Sequence, residues 1–291
     1  MRLPTSAFVS ILLLVLVGGA LPQGVAAHEA APGSVAGVAD NHAPAPDTGA
    51  AHEHAPLHFS HPLIAESPSP DTKLRFDYVY KRETSEEKAY RHTLRLEGEY
   101  AFRPWVSVEI DAPYTFRNPD DGPSRSNFDT VELALKFASF VLAERGVLLG
   151  GGLELGLPTG DDSKEIGSDE IIEVEPFLDF GLRYRQLETV GFLKFGIPTN
   201  TSGGEEPDLE LGWNLSFLYH LTPRIEGLLE FDSEHVFGGE EDGNTVVNIT
   251  PGLKVAPFAS RNFKVGAGAS LPISSDEEFS VRAIFSIFYH F

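Results

Sequence analysis

From residue 73 to Phe291 the chain repeats with a period of two, and this alternation limits the possible folds more than any other feature. Phe76, Tyr78 and Tyr80 alternate with Arg75, Asp77 and Lys81, while Leu94, Leu96, Tyr100 and Phe102 alternate with Thr93, Arg95, Glu97 and Glu99. Val106, Val108 and Ile110 interleave Ser107, Glu109 and Asp111. Successive side chains of a strand point to opposite faces, so each such run is a strand with one apolar and one polar face. Nine further runs lie around 131–137, 149–157, 172–184, 193–197, 209–219, 225–231, 247–255, 263–271 and 279–291, giving twelve candidate strands. The last run sets Phe279, Val281, Phe285, Tyr289 and Phe291 on one face.

Alternation also suits a soluble sandwich or a lipocalin-like barrel, so the choice rests on the other face. That face carries many ionised groups, which points the apolar face outward into lipid. In lipid every backbone group must pair, and a closed sheet has no edge. The connections alternate short and long. Short ones lie around Arg103, Arg145, Arg185, Arg224 and Arg261, and long ones span 82–88, 116–127, 158–170, 198–208, 232–244 and 272–278. Short periplasmic turns opposite longer external loops are typical of outer-membrane barrels. Tyr100, Phe102, Tyr114, Phe116, Tyr184 and Tyr219 sit where interfacial aromatic girdles belong. The expected fold is all-β: a transmembrane antiparallel up-and-down barrel of about 12 strands with a disordered N-terminal arm. Outer-membrane lipid and lipopolysaccharide are the expected surroundings. The terminal Phe291 resembles the signal read by the barrel-assembly machinery.

The N-terminus reads as an address. Met1-Arg2, an apolar run from Ala7 to Leu21 and Val25-Ala26-Ala27 describe a secretory signal peptide over 1–27. Residues 28–72 are rich in Ala and Pro, hold six acids and no Lys or Arg, and keep no period. They read as a flexible periplasmic arm. Within it His52, His54, His58 and His61 could chelate zinc, copper or nickel, although a plain polar arm suits the same residues.

Charge follows the same division. The whole chain has 43 acids against 22 bases, which excludes a nucleic-acid binder, since that would need a basic patch. The excess falls on the arm and the long loops, leaving strands and short turns balanced. The turn arginines suit phospholipid phosphates. Acidic stretches such as Asp161-Asp162-Ser163-Lys164-Glu165 read as solvated loop tips able to bridge divalent cations to lipopolysaccharide. With no Cys and no G-x-S-x-G, the chain offers no thiolate site or nucleophile elbow, and no enzyme is expected.

Candidate functional residues are those expected to line the lumen. Bases concentrate on the first and last strands: Arg75, Arg91, Arg95, Lys254, Lys264 and Arg282. Acids dominate the middle: Glu109, Asp111, Glu132, Glu154, Glu173, Glu175, Asp179, Glu210, Glu226 and Glu230. Closure would set a basic wall against an acidic one. The result is either a transverse field across a pore for polar solutes or walls paired as salt bridges that block it. The arm offers a plug, a recruiter or a metal holder. The two functional expectations are a channel for small molecules and a closed structural barrel displaying a metal-binding arm.

Three strand exits add a resemblance: Leu155-Gly156-Leu157-Pro158-Thr159-Gly160-Asp161, Phe195-Gly196-Ile197-Pro198-Thr199-Asn200 and Ala269-Ser270-Leu271-Pro272-Ile273-Ser274. Over roughly 74–291 the chain resembles the outer-membrane transporter family named for the meta-pathway of phenol degradation (the MetA-pathway barrels). The second exit lacks the Gly-Asp, and the third keeps only the Pro. A Pro there also ends strand pairing locally. The resemblance implies a barrel for uptake of small, including aromatic, compounds and no particular binding residue.

Overall fold

The computed structural model describes residues 57–84, 88–199, 209–239 and 242–291. Its strands are β1 (Lys73–Glu83), β2 (Ala89–Arg103), β3 (Val106–Pro119), β4 (Arg125–Phe128), β5 (Val131–Ser139), β6 (Val147–Leu157), β7 (Glu173–Tyr184), β8 (Leu187–Pro198), β9 (Leu209–Thr222), β10 (Ile225–Phe237), β11 (Thr245–Val255), β12 (Phe263–Pro272) and β13 (Phe279–His290). Each pairs antiparallel with its neighbour, and β1 pairs with both β2 and β13, so the sheet closes. Twelve strands make the circuit. The short β4 extends the ladder of β3 beyond β5.

The apolar face points outward, as the charged alternate face requires. Leu96, Tyr100, Ile110, Leu149, Leu182, Tyr219, Leu253 and Phe285 are exposed large hydrophobics around the barrel. In water so continuous an apolar surface would be a strong association hazard. In a bilayer it is the wetting surface, and the chain is an outer-membrane barrel. At the short-turn end Phe102, Tyr184 and Tyr219 form part of an exposed aromatic belt, and at the other Tyr114, Phe116 and Phe128 stack edge to face at 5.1 Å.

Two local expectations change. The expected loop 116–127 is largely hairpin, because β3 runs to Pro119 and pairs with β4; the aromatic triad supports that ladder. Phe279 was expected to face lipid with Val281. Instead the register slips between Arg82 and Glu83, so that Glu83 faces Phe279 while Arg82 faces Val281. One extra residue turns the strand over. Phe279 is fully buried, with the Arg282 guanidinium 5.0 Å from its ring centroid.

Candidate functional site in the lumen

The inner face gathers the charges that the alternation assigned to it. Arg75, Asp111, Glu154, Glu175, Asp179, Glu226, Glu230 and Lys254 are buried. Arg91, Arg95, Glu109, Glu132, Glu173, Glu210, Lys264 and Arg282 are partly so. Bases find acids on neighbouring strands and on strands up to three places away around the barrel. Arg95 reaches Asp77 at 3.0 Å and Asp111 at 3.3 Å, Lys194 reaches Glu175 at 2.7 Å and Glu154 at 3.4 Å, and Arg282 reaches Asp232 at 2.8 Å. Asp179 is buried with neither carboxylate oxygen hydrogen-bonded, and a Cβ at the facing Gly150 would collide with it.

What joins the two walls is the chain itself. Residues 57–72, the described part of the segment expected to be a flexible arm, lie inside the barrel, with Phe59, Leu63, Ser67 and Ser69 buried. The physical reason is a set of peptide groups matched to buried charges. On the basic side Arg75 donates to the Leu63 carbonyl and Lys254 to the His61 carbonyl. On the acidic side Glu230 accepts from the N–H groups of Leu63 (2.8 Å), Ile64 (3.1 Å) and Ala65 (3.2 Å), and Glu188 accepts from that of Ser60 (2.8 Å). Ser60 Oγ also donates to Glu226 at 2.6 Å. Hydrogen bonds to charged groups are stronger than neutral ones, and a field that would align water aligns these peptide dipoles instead.

Apolar anchors complete the seat. Phe59 and Leu63 pack with Leu148, Val190, Leu218, Leu228, Ile284 and Phe288 on the inner face. A Cβ at Gly181 would come within 2.7 Å of the Phe59 ring, and one at Gly266 within 2.7 Å of Leu63. The alternation pointed to none of these lumenal hydrophobes. Their sequence signal is a lapse in alternation, two apolar residues in succession, as in Leu148-Leu149, Leu228-Leu229 and Ile284-Phe285.

The metal candidates divide. His52 and His54 lie outside the described residues. His58 Nε2 and His61 Nε2 each lie 3.2 Å from Asp71 Oδ2, which His290 Nδ1 also meets at 2.6 Å. These atoms of His58, His61 and Asp71 could together hold a cation. Yet Lys73 Nζ lies 3.0 Å from His61 Nδ1. An ammonium can only donate, so Nδ1 accepts and Nε2 carries the proton; a metal there would have to displace it. As it stands the group is a hydrogen-bonded latch. Burial opposes ionisation of Asp71, but the hydrogen bonds from His290, His58 and His61 outweigh it and hold the carboxyl far below the usual range. For His61, burial and then Lys73 push the imidazole well below its ordinary value. The two all-carboxylate groups already hold cations of the chain. Glu66, Glu97 and Glu109 surround Lys73, and Glu154 and Glu175 of the other group flank Lys194.

At the long-loop end a second element enters. The acidic stretch 161–165 was expected to be a solvated tip. Asp162, Ser163 and Glu165 are indeed exposed, while Ile166 beside them is fully buried and Glu165 also faces Arg117 and Arg125. At the opposite end a cavity of about 790 Å³ opens between the short turns, lined by His58, Asp71, Arg183, Arg224, Arg261 and His290 among others. The exposed terminal Phe291 also borders it.

Solved structures similar to the chain share this architecture. An outer-membrane channel from Pseudomonas putida F1 matches with a TM-score of 0.57 and 15% identity, covering 76% of this chain and 96% of that one. The NanC porin matches with a TM-score of 0.52 and 8% identity, covering 76% and 98%. The fold is that of outer-membrane barrels. At such identities the likeness extends to fold and no further. Neither a family model nor a curated protein sequence matches the chain.

Proposed function

We propose that the protein is an outer-membrane channel for small molecules, closed at rest by its own residues 57–72. One observation carries this reading: a lumen lined by charges, whose occupant is held by peptide groups rather than by strand pairing. A barrel with only a structural role can pair its lumenal charges wall to wall, whereas here several of them hold a separate segment of chain. Buried charges are costly, and here they are spread along a path that water and solute could otherwise occupy. By the usual orientation of such barrels the short turns, and with them the point where residue 57 enters, face the periplasm. The strand-exit motifs suggest small aromatic compounds as the first solutes to test.

Planar-bilayer recording decides the matter. Full-length protein is expected to show small, intermittent conductance. A variant lacking 57–71, which keeps Thr72 and its bond from the Phe291 N–H, is expected to show a larger and steady one. Silence of both proteins, each verified as folded, removes the channel reading.

A further inference from the structure

The loop between β6 and β7 carries a short helical turn, Asp162–Lys164, which Glu165 caps with its N–H on the Asp162 carbonyl. Glu165 has φ of 55°, a left-handed conformation that residues other than glycine rarely adopt. There its carboxylate is divided between two guanidinium groups: Oε2 faces Arg117 Nη1, and Oε1 lies 3.3 Å from Arg125 Nη1. Its backbone carbonyl accepts from Arg91 Nη2 at 2.9 Å. Arg91 comes from β2, and Arg117 and Arg125 face each other in the β3–β4 hairpin, so strands and not the β6–β7 loop present them. Arg117 is almost wholly buried, at 3% exposure. Among the described residues, Glu83 and Asp129 also meet the cluster from outside this loop: Glu83 binds Arg117 Nε at 3.0 Å and also Arg91, and Asp129 lies 3.5 Å from Arg91. Glu165 differs from them in arriving on the long β6–β7 loop, whereas Glu83 ends β1 and Asp129 lies in the short connection between β4 and β5.

We propose that Arg91, Arg117 and Arg125 form a recognition site for the carboxylate of a small solute, and that Glu165 occupies it as a tethered stand-in. Each carboxylate oxygen thus faces its own guanidinium, and contacts between ionised donor and acceptor of this kind are stronger than neutral ones. An incoming carboxylate makes the same contacts once Glu165 leaves. The loop is then released from the arginines as the solute binds. This inference rests on the channel reading for its biological sense, but the site itself is testable without conduction.

The probe is propionate, with propionamide as its uncharged counterpart, titrated calorimetrically into the full-length protein in detergent. Glu165→Gln removes the competitor and is expected to bind propionate at least tenfold more tightly than the wild type, with no saturable binding of propionamide. Adding Arg125→Gln, at the more exposed of the two arginines that hold the carboxylate, is expected to reverse that gain by at least tenfold, and Arg117→Gln to do so more completely. Heat-modifiable gel migration verifies that each barrel has folded; should Arg117→Gln not fold, the Arg125→Gln result decides. Equal affinity of wild type and Glu165→Gln, or tight binding that survives Arg125→Gln, overturns the site. A protein that binds propionate but never conducts refutes the channel and keeps the site. A conducting protein without this pattern refutes the site and keeps the channel.

Discussion

Two elements of the same chain enter the same lumen, and they are held by opposite means. Residues 57–72 are seated by their backbone. Glu230 and Glu188 take their N–H groups, Arg75 and Lys254 take their carbonyls, and Phe59 and Leu63 fill glycine-lined hollows. At the other end the charged contact of the β6–β7 loop is made by one side chain, the half-exposed Glu165 among arginines, beside the buried Ile166. A small solute carries at most one or two charged groups, so it can replace a single carboxylate but not a row of peptide groups with two apolar anchors. The loop is therefore the element a solute can move by binding, whereas the segment needs a change in the lumen itself.

The largest break in that comparison comes from Glu230. Its carboxylate serves three peptide N–H groups and Ser216. Each buried donor left unmade costs about 1–3 kcal/mol, so Glu230→Ala is expected to weaken docking of 57–72 by about 3 kcal/mol or more. Because the chain has no Cys, a single Ser60→Cys reports this by comparison with the same reporter on the unaltered seat, its thiol replacing in both a hydroxyl bonded to Glu226 and Lys254. The thiol, near-buried in the wild type, should react with a soluble thiol reagent at least a hundredfold faster in the Glu230→Ala background. An unchanged labelling rate means that the peptide–carboxylate bonds do not hold the segment.

A middling effect tests the apolar half of the seat. A Cβ at Gly181 would lie 2.7 Å from the Phe59 ring, and overpacking of this kind costs about 1–3 kcal/mol. Gly181→Ala is expected to accelerate Ser60→Cys labelling roughly five- to a hundredfold while leaving propionate binding at the far end as it is. If both ends respond together, the two elements are coupled rather than independent.

The sequence revealed these parts unequally, for a physical reason. Outward residues meet one uniform solvent, lipid, so Leu94, Leu96, Tyr100 and Phe102 keep strict alternation and the strands can be read directly. Inward residues meet a mosaic of water, charge and chain. Lys254 and Glu226 were recognisable as lumenal, but nothing in their spacing showed that Ser60 and His61 lie between and around them. The segment 57–72 has no period because its partners are contributed one at a time by many strands. Leu218 and Ile284 look like errors in a membrane strand until Phe59 and Leu63 are placed against them. Phe279 was misplaced because a single-residue register slip leaves no trace in composition.

The smallest expected effect is that of pH, and it falls on one element only. His61 in the docked segment titrates below its ordinary value, because burial and then Lys73 at Nδ1 disfavour the cation, with Asp71 opposing and His290 adding to the disfavour. A histidine whose folded pKa is depressed adds stability that is fully present above its undocked value, about 6.5, and is lost as pH falls toward the folded one. Asp71 is depressed as well, so it acts in the same direction, but from lower down, below the ordinary carboxylate pKa of about 4. Acidification from pH 7.5 to 5.5 is therefore expected to loosen residues 57–72 by no more than about 1.4 kcal/mol per pH unit below 6.5, seen as a several-fold rise in Ser60→Cys labelling corrected for the reagent's own pH dependence. His61→Gln should flatten that rise. The Glu165 end has no histidine in its arginine cluster and should keep its propionate affinity over the same range. A labelling rate that falls on acidification would overturn the assignment to His61, and the latch would then tighten in acid rather than release.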